Sequence, residues 1–273
     1  RILPSFNRVL SAFNMYKAYY GSIAVIKNQL INFDKFMNDK KNNNQMLISK
    51  SIFESIEFNK VSFGYSSNNE VLDNISLNLK IGEIVGIIGD NGSGKSTLLN
   101  IMSGLLNPTT GKILVDDTDL KSISDSYKKK IGYVTQKIYL SDDTIRNNII
   151  LGQDEKNFDQ SRYEKALNLS KLNEVLKKFK EKDNTVVGER GIILSGGQQQ
   201  RIGIARAIYK KPHILILDEA TNALDFETEK KIINEITQLK NETFIVLVSH
   251  NKKIFENCDR IFELKSKKLN IIK

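Results

Sequence analysis

Nine residues, Gly89-Asp90-Asn91-Gly92-Ser93-Gly94-Lys95-Ser96-Thr97, constrain this chain more than any other stretch. They follow a strand-length apolar run ending Ile84-Val85-Gly86-Ile87-Ile88 and precede the helical run Leu98-Leu99-Asn100-Ile101-Met102. The pattern G-x-x-x-x-G-K-[ST] between strand and helix lets glycines curl the backbone so that successive N–H groups face one anion. The helix that follows adds the partial positive charge of its N-terminus. Lys95 then bridges β- and γ-phosphates, and the Ser96 hydroxyl suits Mg²⁺. The ligand class is a nucleoside triphosphate. This loop alone does not choose among GTPases, kinases, helicases and recombinases.

The rest of the chain narrows the choice. Hydrophobic residues make up 40% and charged residues 27%, as in an ordinary soluble domain. The single cysteine, Cys258, cannot form an internal disulfide and suits a reducing compartment as an idle thiol. The net charge of +9 is concentrated at the front, where residues 1–50 hold eight basic and two acidic residues. No run reaches the roughly 18–20 apolar residues that span a bilayer. The first residue is Arg, so the chain is expected to be cut from something longer.

Residues 1–40 are expected to form a long helix, with Leu3, Phe6, Leu10, Phe13, Tyr16, Tyr20, Ile23 and Leu30 as one apolar stripe. Two readings stand for it: a helix packed on its own domain, or the cytoplasmic end of a membrane helix. Residues 41–51, rich in Lys and Asn, read as a linker. Residues 52–273 then form one domain. Strands are expected at Ile52–Phe58, Ile75–Lys80, Glu83–Ile88, Lys112–Val115 and Ile131–Thr135, with an inserted helical region at 144–182. Helices at Gln198–Tyr209 and Glu227–Leu239 alternate with strands at His213–Leu217 and Thr243–Val248, which predicts a mostly parallel sheet.

Further motifs follow in order: Val61-Ser62-Phe63-Gly64-Tyr65, Ile131-Gly132-Tyr133-Val134-Thr135-Gln136, Leu194-Ser195-Gly196-Gly197-Gln198, Ile214-Leu215-Ile216-Leu217-Asp218-Glu219, Asn222-Ala223-Leu224-Asp225 and Ser249-His250. This set resembles ABC ATPases over residues 52–264: aromatic stacking residue, Q-loop, signature, Walker B strand, D-loop and switch histidine. The resemblance implies an α/β P-loop NTPase core with a mostly parallel sheet, an antiparallel β subdomain and an inserted helical subdomain at about 138–205. It implies that Tyr65 stacks on adenine, with Phe63 beside it as a competitor for that role. Gly89, Asp90, Asn91, Gly92, Ser93, Gly94, Lys95, Ser96 and Thr97 cradle the ATP phosphates. Ser96, Gln136 and Asp218 hold Mg²⁺, Glu219 orients the attacking water, and His250, Gln136 and Asp225 complete the catalytic set. Ser195, Gly196, Gly197 and Gln198 act in trans on the nucleotide of a second ATP-binding domain. His213 matches no motif and is expected at the surface.

Two kinds of ABC machine remain: a membrane exporter, or a soluble protein of DNA repair or translation, which positive charge would suit. Thr185-Val186-Val187-Gly188-Glu189-Arg190-Gly191 resembles the exporter X-loop, and Thr144-Ile145-Arg146-Asn147-Asn148-Ile149 the exporter segment after the Q-loop. With them, residues 1–40 are similar to the cytoplasmic end of an exporter's last transmembrane helix. The expected partners are the transmembrane domain, the membrane and a second ATP-binding domain, with a homodimer favoured and no nucleic acid. The expected place is the cytoplasmic face of a bacterial inner membrane. Arg1-Ile2-Leu3-Pro4-Ser5-Phe6-Asn7-Arg8 is similar to flippases for lipid-linked oligosaccharides or polysaccharides; a lipid or peptide exporter is the competing reading.

Overall fold

The computed structural model describes residues 2–42, 53–66, 69–153, 155–249 and 252–273. The chain divides into two compact units, Arg1–Met46 and Leu47–Lys273. The expected linker therefore lies almost wholly outside the described residues.

The first unit is one helix, α1 (Ile2–Asn42). The single stripe expected of it is a misreading. Its eight apolar members average nearer 3.4 than 3.6 residues per turn, so they wind around the cylinder. Met15, Tyr19, Val25, Ile26 and Phe33 occupy other sides, and these apolar side chains are exposed. No helix among the described residues is long and apolar enough to cross a membrane.

The second unit is built on two sheets. The antiparallel sheet has the order β2-β1-β4-β5, from β1 (Ser55–Ser66), β2 (Asn69–Lys80), β4 (Thr110–Val115) and β5 (Thr118–Asp119). The larger sheet has the order β10-β9-β3-β8-β7-β6, from β3 (Ile84–Ile88), β6 (Ile131–Val134), β7 (Ile214–Asp218), β8 (Phe244–Val248), β9 (Arg260–Lys265) and β10 (Lys268–Ile271). Pairing is parallel from β9 through β6, and only β10 runs antiparallel. Its inner strands are continuous apolar runs because both faces are covered. Ile84, Leu215, Leu217, Ile245 and Leu247 join a core with the helical region. Their neighbours Val85, Ile87, Ile214, Ile216, Val246 and Val248 join a second core with the antiparallel sheet.

Helix α2 (Lys95–Met102) lies in that second core, burying Leu98, Leu99, Ile101 and Met102. The loop at residues 89–94 is thus held between a buried strand and a buried helix. The short α3 (Ser124–Lys128) precedes β6. The inserted region is less helical than expected: α4 (Ile145–Ile149), α5 (Gln160–Leu169) and α6 (Leu172–Leu176), separated by turns, packed with α7 (Gly196–Tyr209). Helix α8 (Phe226–Thr237) joins β7 to β8.

Three local differences have physical causes. Strands β1 and β2 run to 12 residues each, longer than expected, because bulges interrupt their alternation. The β9–β10 hairpin was not expected. Its turn Ser266-Lys267 carries two positive-φ residues without the glycine that announces such turns. His213 is buried at 5% exposure, edge-on to Phe53 at 4.6 Å, where a surface position was expected. Burial, then Lys130 and Lys211, holds its pKa below the usual histidine value.

Candidate functional site

The chain leaves β3 into a loop whose shape only glycine fills. Gly94, the N-cap of α2, has φ 104°, and no side chain caps this helix. A Cβ on Gly89 would stand 2.6 Å from the Leu264 carbonyl oxygen. Lys95 is buried and folds back, donating from Nζ to the carbonyls of Gly89 (2.7 Å) and Asp90 (2.8 Å). Ser93 Oγ is buried with no hydrogen-bond partner among the described residues. A buried hydroxyl left so costs of the order of 1–3 kcal/mol unless a ligand satisfies it. An uncapped helix start, an orphaned hydroxyl and a primary amine within one loop fit an oxyanion ligand.

The loop opens on a cleft of about 600 Å³ lined by Tyr65, Asn69, Val71, Asn91, Gly92, Gly94, Lys95, Ser96, Thr97, Gln136, Asp218 and Glu219. Parallel pairing of β3, β8, β7 and β6 brings the carboxyl ends of these strands to one edge, where Asp218 and Glu219 meet the loop. Tyr65 is 61% exposed, and its hydroxyl lies 3.3 Å from Thr97 Oγ1. Phe63 packs edge-on against it at 5.0 Å and is itself buried, so Tyr65 is the ring that offers a free face.

The carboxylates are individually held. Asp218 Oδ2 accepts the Tyr133 phenol at 3.1 Å. Burial raises the Asp218 pKa; Tyr133 opposes this, Glu219 adds to it, and Lys95 opposes it. Glu219 has φ 51°, a left-handed conformation costly for a residue with a Cβ. Its N–H donates to the Val248 carbonyl at 2.9 Å, and Oε2 accepts both Gln136 Nε2 and Asn222 Nδ2 at 2.8 Å. Gln136, Asp218 and Glu219 thus converge in one cleft. Tyr133 and Asn222 were within quoted motifs but were not singled out.

The signature is elsewhere. Ser195, Gly196, Gly197 and Gln198 are not among the residues lining this cleft. Ser195 caps α7 in a reciprocal box: Gln198 N–H donates to Ser195 Oγ (3.3 Å), and Ser195 N–H to Gln198 Oε1 (2.9 Å). A Cβ on Gly197 would stand 2.9 Å from the Ala223 carbonyl oxygen. Ala223 N–H in turn donates to Gln200 Oε1 at 2.9 Å, tying the signature helix to the segment before α8. Asp225, expected in catalysis, is the N-cap of α8, accepting Thr228 N–H at 2.9 Å. That backbone hydrogen bond lowers its pKa. His250 lies outside the described residues.

Within residues 72–222, more than half of the chain, the sequence matches the model of the family described as ABC transporter. The chain belongs to the ABC transporter family. It carries the ATP-binding domain of that family, with its P-loop NTPase fold, and binds ATP. It is 39% identical over 208 residues to the alpha-hemolysin translocation ATP-binding protein HlyB of Escherichia coli O157:H7, covering 76% of this chain and 29% of that protein. It is 39% identical over 210 residues to the ATP-dependent lipid A-core flippase of Cupriavidus pinatubonensis, covering 76% of this chain and 36% of the flippase. A bacterial Atm1-family ABC exporter solved with ATP bound superposes at TM-score 0.77 and 31% identity, covering 83% of this chain and 40% of that one. The chain thus spans about a third of the length of these relatives.

The two segments that resemble exporter elements come together. Thr144 and Val186 form an antiparallel bridge, Ile145 N–H donates to the Thr185 carbonyl (3.0 Å), and Val187 N–H to that of Asp143 (2.9 Å). Beside them Val186, Glu189, Ile192 and Ile193 are exposed, while the Arg190 side chain is not described. Arg206 of α7 holds the first of these segments, donating to the carbonyl of Asn148 (2.7 Å) and to that of Tyr139 upstream of it (2.9 Å).

Proposed function

We propose that this domain binds ATP with Mg²⁺ and hydrolyses it to drive export or flipping of a substrate across a membrane. The observation that carries the reading is the single cleft in which the phosphate loop, Gln136, Asp218 and Glu219 meet, with the signature turned elsewhere. ATP phosphates take over the Lys95 ammonium from its two neutral carbonyl acceptors, a gain because ionised partners make the stronger hydrogen bond. They also satisfy Ser93 Oγ, and Tyr65 offers its face to adenine.

Ser96, Asp218 and Gln136 are hard oxygen donors in one cleft and fit Mg²⁺, which supplies neutralising charge to the phosphates when bound. Glu219 is the candidate for orienting the attacking water and accepting its proton. Both amide donors on Glu219 must rearrange before Oε2 can take that water. His250 and Asp225 stay as proposed contributors. Asp225 already caps α8, so any catalytic part is additional to that bond.

Two copies complete the site. The signature of one, presenting α7, closes over the phosphate loop of the other, so ATP acts as an association energy. An intact Glu219 and signature support a homodimer. Residues 144–149 and 185–191 form the proposed contact to a transmembrane domain, and residues 1–40 the cytoplasmic end of its last helix. The linker at 41–51 and the domain at 52–273, with its helical insertion at 138–205, belong to the same proposal. These parts imply the cytoplasmic face of a bacterial inner membrane. A lipid-linked glycan is the proposed cargo, supported by the Arg1–Arg8 resemblance and the flippase relative.

Phosphate release from ATP by the full-length protein in vesicles tests the reading. Hydrolysis that requires Mg²⁺ and is lost with Glu219→Gln supports it; hydrolysis indifferent to both contradicts it.

A further inference from the structure

Strand β6 lies beside β7 in parallel, with Tyr133 opposite Ile216. Asp218 is two residues farther along β7, roughly 6.6 Å at a strand's rise. A tyrosine leaning along its strand spans that gap, and its hydroxyl arrives 3.1 Å from Asp218 Oδ2. Among the described residues this is the only hydrogen bond made to the Asp218 side chain. Phenylalanine, leucine or valine would fill the same half-buried place without a donor.

We propose that Tyr133 is a positioning residue for Mg²⁺: by holding Asp218 Oδ2, its phenol fixes the rotation of the carboxylate and presents Oδ1 to the metal or its water. The inference rests on the reading of Asp218 as a metal-holding residue. Outer hydrogen bonds of this kind orient the groups that hold a metal and strengthen its binding. Burial raises the Tyr133 pKa, as does the neighbouring Asp218 charge, so the phenol keeps its proton and remains a donor. Glu219, whose charge repels Asp218, is engaged by Gln136 and Asn222, and Lys95 faces the loop carbonyls. None of these groups takes over the task of Tyr133.

The test is a Mg²⁺ titration of methylanthraniloyl-ATP fluorescence on the full chain and on Tyr133→Phe and Asp218→Asn. Tyr133→Phe is expected to raise the Mg²⁺ concentration at half-effect by about 10-fold or more. Its affinity for the analogue without Mg²⁺, and its Tm, should stay those of the parent. Asp218→Asn should shift the Mg²⁺ midpoint at least as far. A shift in Asp218→Asn with none in Tyr133→Phe overturns the role of the phenol and leaves the metal assignment standing. No shift in either variant removes the metal assignment and this inference with it. If Tyr133→Phe instead loses metal-free affinity or Tm, the bond is structural and the inference is likewise overturned.

Discussion

Helices α2 and α7 both begin at glycine-rich turns, and the comparison between them explains the domain. The start of α2 has no side-chain cap, and beside it the Ser93 hydroxyl has no partner among the described residues. The start of α7 is closed by its own Ser195 and Gln198. Both present the positive end of a helix, yet one is left open for an anion while the other is satisfied by its own chain. An open terminus binds without help. On the proposed reading, the closed one meets its ligand only together with a second protein surface. Nucleotide binding, on that reading, belongs to one copy and turnover to two.

The sharpest way to break this contrast is at Lys95. Lys95→Ala should weaken ATP binding by roughly 100-fold or more, read by equilibrium dialysis, since charge-assisted bonds to phosphate are lost. Normal affinity would remove the phosphate-loop assignment. Glu219→Gln leaves both helix starts intact and should cut hydrolysis by about 10²–10⁴ with ATP binding kept. Turnover at the parental rate would exclude Glu219 as the base. Ser195→Arg should keep ATP affinity yet abolish turnover, and in mixed dimers it should silence the partner's phosphate loop.

The milder Ser195→Ala removes the cap together with the hydroxyl proposed to face the partner's nucleotide. It is expected to cost about 1 kcal/mol, or roughly 2–4 °C in Tm, without touching ATP affinity. Asp225→Asn has the smallest expected effect on folding, because asparagine caps as well as aspartate. If hydrolysis nevertheless falls while Tm holds, the Asp225 carboxylate has a catalytic part; if both hold, it is a cap only.

Both helix starts were legible in the sequence because their determinants are local. Gly94-Lys95-Ser96 and Ser195-Gly196-Gly197-Gln198 carry turn, cap and helix within a few residues. Strands β7 and β8 were equally plain, as apolar runs buried on both faces. What stayed hidden depends on partners distant in the chain. Tyr133 reaches Asp218 only because β6 is the neighbour of β7. Asn222 matters through Glu219 Oε2, which also accepts Gln136. His213 reads as surface because it follows Pro212 and matches no motif, while its neighbour in space is Phe53. The α1 stripe fails for a geometric reason: the mean of its three- and four-residue steps does not track a straight helix.

Sedimentation velocity of the Glu219→Gln chain with and without ATP and Mg²⁺ tests most directly whether the site is shared between copies. The expected result is monomer without nucleotide, dimer with it, and monomer again when Ser195→Arg is added although ATP stays bound. A Glu219→Gln chain that remains monomeric with ATP bound at saturation would contradict it.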